Sequence, residues 1–285
     1  MGNSRGAKSK VSNYKGFPDS SRVIGTEEAS SLIGRKDVVF VDTRNYWKYV
    51  GGHIPGAVNL ELYAFHWVDT SDEGMLAFAR EMAMLLGAFG VDNTKTVVFY
   101  QNDSGYDAAR GVWLLQWLGN GNAKLLDGGL NAWKREGRPV SKEDSHLARA
   151  RFRLKLDKSV LGSIADLKRV VGSSSISVID VRSAGEFDGT RRRAQKAGHM
   201  PGAVNLEWKD ALRRDGSLKS ASQLEAMYGR FSRNDPLVTY CQSGYRAAHS
   251  WLVLKLLGFE DVRNYIGSWY EWGSDPATPV VRGKV

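Results

Sequence analysis

The sequence predicts an α/β protein built from two tandem copies of one domain, each a mostly parallel sheet with helices on both faces. Three observations predict it. Four blocks recur in the same order along the chain, short apolar runs alternate with helix-period segments, and a polar stretch separates the two halves. The clearest block is Gly52-His53-Ile54-Pro55-Gly56-Ala57-Val58-Asn59-Leu60-Glu61, which returns as Gly198-His199-Met200-Pro201-Gly202-Ala203-Val204-Asn205-Leu206-Glu207. Val41-Asp42-Thr43-Arg44 returns as Ile179-Asp180-Val181-Arg182, and Ser104-Gly105-Tyr106-Asp107-Ala108-Ala109 as Ser243-Gly244-Tyr245-Arg246-Ala247-Ala248. Gly128-Gly129-Leu130-Asn131-Ala132-Trp133 faces Gly267-Ser268-Trp269-Tyr270-Glu271-Trp272.

The elements follow in order. In the first copy the central helices are expected near Leu76 to Phe89 and Tyr106 to Leu118. In the second, Ser163-Ile164-Ala165-Asp166 has the spacing of a capping box and opens a helix. A buried strand from Ser177 to Val181 comes next, then the His-Met-Pro-Gly turn and a short strand from Ala203 to Leu206. A helix near Ser222 to Phe231 leads into a strand from Leu237 to Tyr240, a helix from Ala247 to Leu257 and a last strand from Val262 to Tyr265. The domain expectation is a flexible tail over 1–19, domains over 20–140 and 159–281, and a polar linker over 141–158.

Composition bounds the chemistry. The chain has 285 residues, 42% of them hydrophobic, and nine Trp, enough for two real cores. One Cys excludes an intrachain disulfide and a cysteine zinc cluster, and five scattered His lack any metal-ligand spacing, so neither metal nor cofactor is expected. The formal charge of +9 suits an anionic partner. The basic residues are spread along the chain without a nucleic-acid motif, so a small dianionic substrate is expected and nucleic acid is not. No run of about 20 apolar residues and no apolar leader segment occurs, which points to a cytoplasmic protein without a membrane partner.

The one cysteine carries the chemistry. Cys241 lies in Tyr240-Cys241-Gln242-Ser243-Gly244-Tyr245-Arg246, between a strand and a helix. Unpaired amides and the positive end of a helix dipole favour an anion there, hence thiolate over thiol. A lone Cys is often a small apolar packer; Gly244, Arg246 and the immediate helix start favour a nucleophile instead. The first copy has Gln101 or Asn102 at the Cys241 position and Asp107 at that of Arg246, and is one residue longer, so it is expected to be inactive.

In combination these motifs resemble the tandem-domain rhodanese family of sulfurtransferases, over roughly residues 20–281. The resemblance implies two rhodanese-like domains, with the N-terminal one inactive. It also implies ping-pong transfer of sulfane sulfur from thiosulfate, or another small anionic donor, to cyanide or a thiol or dithiol acceptor, through a Cys241 persulfide. Arg246 would orient the thiosulfate oxygens. Gln242, Ser243, Gly244 and Tyr245 would act mainly as backbone donors and walls of the anion nest, with Gly244 permitting its tight turn. Asp180 and Arg182 are expected to brace the loop, because Asp42 and Arg44 repeat them in the unarmed copy. The same reasoning makes His53 and His199 structural. Trp269 lines the pocket or is plain core.

Three alternatives stand beside this reading. Mercaptopyruvate sulfurtransferases carry an uncharged loop, so Arg246 favours thiosulfate; Glu186, however, stands where vertebrate members place a substrate-contacting arginine, and Arg191, Arg192 and Arg193 could compensate. Cysteine phosphatases space their thiolate and arginine as Cys-x5-Arg; here the spacing is Cys-x4-Arg, one residue shorter. A persulfide carrier or binding module without turnover would retain the same cysteine.

Overall fold

A computed structural model describes residues 14–173 and 175–283. The first half contains β1 (Val23–Ile24), α1 (Thr26–Ser31), β2 (Val38–Asp42), α2 (Tyr46–Val50), β3 (Val58–Asn59), α3 (Asp72–Ala88), β4 (Thr96–Tyr100), α4 (Tyr106–Leu118), β5 (Ala123–Leu126) and α5 (Gly129–Arg135). The second half repeats the series: β6 (Leu161–Gly162), α6 (Ile164–Val170), β7 (Ser177–Asp180), α7 (Ala184–Phe187), β8 (Val204–Asn205), α8 (Ala221–Tyr228), β9 (Leu237–Tyr240), α9 (Tyr245–Leu256), β10 (Val262–Tyr265) and α10 (Ser268–Trp272).

Each half forms a five-stranded parallel sheet, with orders β1-β5-β4-β2-β3 and β6-β10-β9-β7-β8. The central strands explain this. Val39-Phe40-Val41 and Leu237-Val238-Thr239-Tyr240 are buried on both faces, as strands sandwiched by helices must be. Crossovers leave β7 toward β8 and β9 toward β10, so the winding reverses between β9 and β7. That reversal opens a crevice at the carboxyl ends, where open α/β sheets bind ligands.

Local signals set the helix ends. Ser71 caps α3 by accepting from Gly74 N–H at 3.0 Å, and Asp72 and Glu73 complement the dipole. Ser163 caps α6 as expected, but Asp166 takes the Ser163 hydroxyl at 2.7 Å instead of the cap amide, so only half of a capping box forms. The complete boxes are at Ser183 on α7 and Ser220 on α8. β9 and β10 match their expected spans; α9 starts two residues early, at Tyr245, and α8 ends at Tyr228.

The two halves share one apolar core. Val112, Trp113 and Trp117 of α4 join Trp251, Leu252 and Leu256 of α9 in a single buried cluster. The polar segment between the domains is strapped to the first one. Ala150 N–H donates to Gly87 O at 2.9 Å, Lys155 N–H to Leu118 O at 3.1 Å and Asp157 N–H to Trp117 O at 2.8 Å, while Phe152 is buried. Three of its backbone amides are satisfied on α3 and α4, which composition does not reveal.

Residues 14–19, grouped with the tail from sequence, are packed. Tyr14 donates to Asp127 at 2.9 Å, Lys15 pairs with the same carboxylate at 2.5 Å, and Phe17 is 2% exposed. Isolated apolar residues in a Gly/Ser/Lys background carry no periodicity, so only the tertiary structure shows where they dock. Residues 1–13 lie outside the described residues.

Candidate active site

β9 delivers Cys241 to the crevice between β9 and β7, and the loop to α9 closes on one side chain, Ser268. The Ser268 hydroxyl donates to Tyr265 O at 2.6 Å and accepts from the Cys241 and Gly244 amides, each at 3.0 Å. Its oxygen stands 4.0 Å from Cys241 Sγ. Ser268 is fully buried with φ +52°, a left-handed backbone that glycine normally supplies and that Gly129 supplies in the first domain at φ +55°. A non-glycine residue keeps that strain where its side chain is needed; here the hydroxyl holds two loop amides. The amides of Trp269 and Tyr270 complete the clamp, donating to Cys241 O and Gln242 O at 3.0 and 2.9 Å.

Gly244 has φ +80°, and a Cβ there would lie 2.8 Å from the Ile266 Cα. The tight turn is therefore closed to other residues. It places Cys241, 1% exposed, at the N-terminus of α9, on the positive end of the helix dipole.

Arg246, in the first turn of α9, has its fork engaged. Its Nη1 and Nη2 donate to the two Glu186 oxygens at 2.8 and 3.0 Å. Ser183 donates to the same carboxylate at 2.9 Å, and Arg193 approaches it at 3.5 Å. Burial pushes the Glu186 carboxyl up, but Arg246 and Ser183 outweigh it and hold the group at about 2. The Arg246 guanidinium is held above its usual value: burial lowers it, while Glu186 and Cys241 favour the charge more strongly. Glu186 thus neutralises the arginine that the sequence reading assigned to thiosulfate.

Asp180 and Arg182 form a buried bidentate pair, with Arg182 Nε at 2.9 Å and Nη2 at 2.5 Å, and Arg182 also donates to Gly198 O at 2.7 Å. The Asp42–Arg44 pair repeats this on Gly52 O, so the bracing role is common to both domains. Trp269 is core: its ring lies under the Arg182 guanidinium at 4.4 Å, and its contribution to the loop is its backbone amide. Gln242 donates to Arg193 O at 3.1 Å, and Ser243 is buried. His53 and His199 are buried, stacked on Tyr49 and Phe187 at 3.8 and 3.7 Å, with Nδ1 on the Tyr49 and Phe187 carbonyls.

Tyr245 does more than line the loop. Its hydroxyl donates to Leu62 O at 3.0 Å, its ring lies 5.2 Å from that of Tyr63, and the Arg110 guanidinium lies 3.8 Å over it. The first domain therefore forms one wall of the cleft. Sequence reading missed Ser268 and Arg110. The signal for Ser268 was present in the repeat, where Gly128-Gly129 faces Gly267-Ser268.

The first domain shows the same loop filled. Gln101 follows β4 where Cys241 follows β9, since Asp42 pairs with Tyr100 as Asp180 pairs with Tyr240, which makes Asp103 the extra residue. Gln101 Oε1 accepts from the Asp107 and Ala108 amides at 3.0 and 3.4 Å, so a neutral side chain caps the amides at the start of α4.

The Rhodanese-like domain model matches residues 25–136 and 163–275, and the chain belongs to the rhodanese family. It is 32% identical over 262 residues to a thiosulfate sulfurtransferase of Azotobacter vinelandii, covering 90% of this chain and 96% of that one. It is 33% identical over 268 residues to a sulfur carrier protein of Thermus thermophilus, covering 87% and 89%. Among solved structures, an anaerobic ergothioneine biosynthesis enzyme from Chlorobium limicola superposes with a TM-score of 0.82 at 22% identity, over 93% of this chain and 71% of that one, a likeness of fold. Among the described residues no helix is long and apolar enough to cross a membrane, and no His/Cys/Asp/Glu group has the makings of a metal site.

Proposed function

We propose that this chain is a thiosulfate sulfurtransferase in which Cys241 carries the transferred sulfur. The observation that carries the reading is the seat of the single cysteine: a loop clamped by Ser268 and α10, at the N-terminus of α9, in the crevice between β9 and β7. The relatives named thiosulfate sulfurtransferase support the donor.

The Cys241 thiolate attacks the sulfane sulfur of thiosulfate. A new S–S bond forms to Cys241, the bond to the sulfonate sulfur breaks, and sulfite leaves with the electron pair. The persulfide terminal sulfur is then attacked by cyanide, giving thiocyanate and returning the thiolate; a thiol acceptor takes the sulfur in the same way. The loop amides and the α9 dipole stabilise the sulfur anion before and after each step. The Glu186–Arg246 pair holds the loop's outer wall and leaves the pocket with less positive charge than a free arginine would.

Intact-protein mass spectrometry tests this. Incubation with thiosulfate adds one sulfur to the wild type, cyanide removes it, and Cys241→Ser gains none. A gain only from 3-mercaptopyruvate replaces the donor, and a stable gain without turnover to small acceptors replaces the enzyme with a carrier.

A further inference from the structure

The first domain keeps a cleft where the second has its cysteine. About 220 Å³ in volume, it is lined by Lys48, Glu61, Tyr63, Asn102, Tyr106 and Asp107, and it opens at the carboxyl ends of β2 and β4. Open parallel sheets bind ligands at that edge. Gln101 borders the same cleft with both ends of its amide in use: Oε1 accepts from the Asp107 and Ala108 amides, and Nε2 donates to Asp103 at 2.7 Å. The first amides of α4 are therefore already capped, and what the cleft offers a ligand is side-chain charge.

Those charges are not spent on one another. Lys48, Glu61 and Asp107 border one cleft, yet their charged ends form no ion pair or hydrogen bond with each other or with any other described residue. Asp107 Oδ1 is buried without a partner. Burial pushes that carboxyl up to about 6; Arg110 and Lys48 pull it down, and Asp103 and Glu61 add to the rise. A buried acceptor without a donor costs stability that a bound donor restores. The other ions at this edge, Asp42 and Arg44, are closed on each other.

Elsewhere the molecule does pair such groups. In the second domain Glu186 and Arg246, at the places of Lys48 and Asp107, meet at 2.8 and 3.0 Å. A cavity of about 610 Å³ between the domains has its ions paired too, Lys158 with Asp72 at 3.9 Å and Arg169 with Asp166. Only the first-domain cleft holds opposite charges apart around an open volume. That arrangement complements a zwitterion: an ammonium answers Glu61 and Asp107, and a carboxylate answers Lys48. A bare cation would leave Lys48 unanswered, and a bare anion would leave both carboxylates so. Tyr63 and Tyr106 add aromatic wall, which also favours an ammonium. The volume lies below the roughly 300 Å³ at which drug-sized pockets begin, so the ligand is small.

We propose that this cleft of the non-catalytic domain is a binding site for a free α-amino acid, with Glu61 and Asp107 taking its ammonium and Lys48 its carboxylate. The site stands or falls without the sulfur-transfer reading. The full chain is screened by melting temperature against the common L-amino acids at about 10 mM each, because a ligand that binds only the folded state raises it, and the best is titrated calorimetrically. At least one is expected to give a saturable rise. Its N-acetyl derivative and its carboxamide, each lacking one charge, are expected to bind at least about tenfold more weakly. The same loss is expected for the parent amino acid with Asp107→Asn, Glu61→Gln and Lys48→Met. Lys48 is exposed, so its replacement leaves packing intact, and Lys48→Arg keeps the charge and is expected to bind as wild type does. The proposal is overturned if no amino acid raises the melting temperature, or if the blocked derivatives bind like the parent. It is overturned equally if the Asp107 and Lys48 variants bind as tightly as wild type, which would put the ligand elsewhere, or if Lys48→Arg is as weak as Lys48→Met.

Discussion

The two loops of this molecule have the same backbone plan and opposite chemistry. In the second domain Cys241 stands over the start of α9, Ser268 ties down its amide, and Arg246 is locked to Glu186. In the first, Gln101 covers the start of α4 with its own amide oxygen, Gly129 replaces Ser268, and Lys48 and Asp107 stand where Glu186 and Arg246 stand. That charge exchange leaves a cleft of about 220 Å³ lined by Lys48, Glu61, Gln101, Tyr106 and Asp107, with burial pushing the Asp107 carboxyl up to about 6. The comparison separates what the fold needs from what the chemistry needs. The Asp-Arg braces, the stacked histidines and the parallel sheets occur in both halves. The thiol, the seryl clamp and the closed arginine pair occur in one.

The largest break in this comparison is Cys241→Ser. It removes the proposed nucleophile and is expected to lower thiocyanate formation by about 10⁴-fold or more with an unchanged melting temperature. Activity close to wild type would move the nucleophile elsewhere. Ser268→Gly gives the second loop the first loop's residue: backbone geometry is kept and the hydroxyl lost. Freed amides let the loop shift, and kcat/KM for thiosulfate is expected to fall about a hundredfold. Full activity would show that the α10 amides alone suffice.

Arg246→Ala leaves the buried Glu186 carboxylate without its main partner. Urea unfolding is expected to show a loss of about 2–3 kcal/mol, against about 0–1 for Asp107→Ala, which has no such pair to break. Equal losses would mean that the Glu186–Arg246 pair adds nothing beyond an exposed charge.

Two pH windows follow from shifted groups that the halves do not share. His249 sits at about 4, below its ordinary 6.5, so the unfolded chain takes up its proton first and stability is lost as pH falls from 6.5 to about 4. Glu186 sits at about 2, below its ordinary 4.5, so its contribution is lost as pH falls from 4.5 to about 2. His249→Phe should flatten the melting-temperature profile in the upper window alone, and Glu186→Gln in the lower one alone. The smallest effect is expected for Gln101→Cys combined with Cys241→Ser. The added cysteine sits in a longer loop beside Asp107, without a seryl clamp, and should take no sulfur from thiosulfate by mass spectrometry. Sulfur uptake there would show that a cysteine at a helix start is sufficient.

Much of the architecture was legible because a tandem repeat writes its pattern twice. Alternation of buried strands with helix-period segments placed β9, β10 and α4 residue for residue, and the Gly-His-x-Pro-Gly blocks set the halves in register. The cysteine loop was legible because a thiol, a glycine and an arginine between strand and helix have few other uses. The Arg246 partner was harder to read. Glu186 is 60 residues away in the chain, and α7 carries it to the loop only after β7 and β9 pair. Ser268 was hidden because serine is an ordinary residue at a helix start; only its left-handed backbone and its buried hydroxyl, bonded to two amides, set it apart.

By itself the sequence determined two α/β domains of one kind and a single cysteine between strand and helix in the second, since periodicity, repetition and residue type are local properties of a chain. Only the tertiary structure decided which charges gather around the cysteine loop. Strand order brings Glu186 onto Arg246 and cancels it, and the packing of α4 on α9 sets Arg110 of one domain against Tyr245 of the other. Electrostatic interactions depend on distance and burial in space, and neither is written in the spacing of residues along the chain.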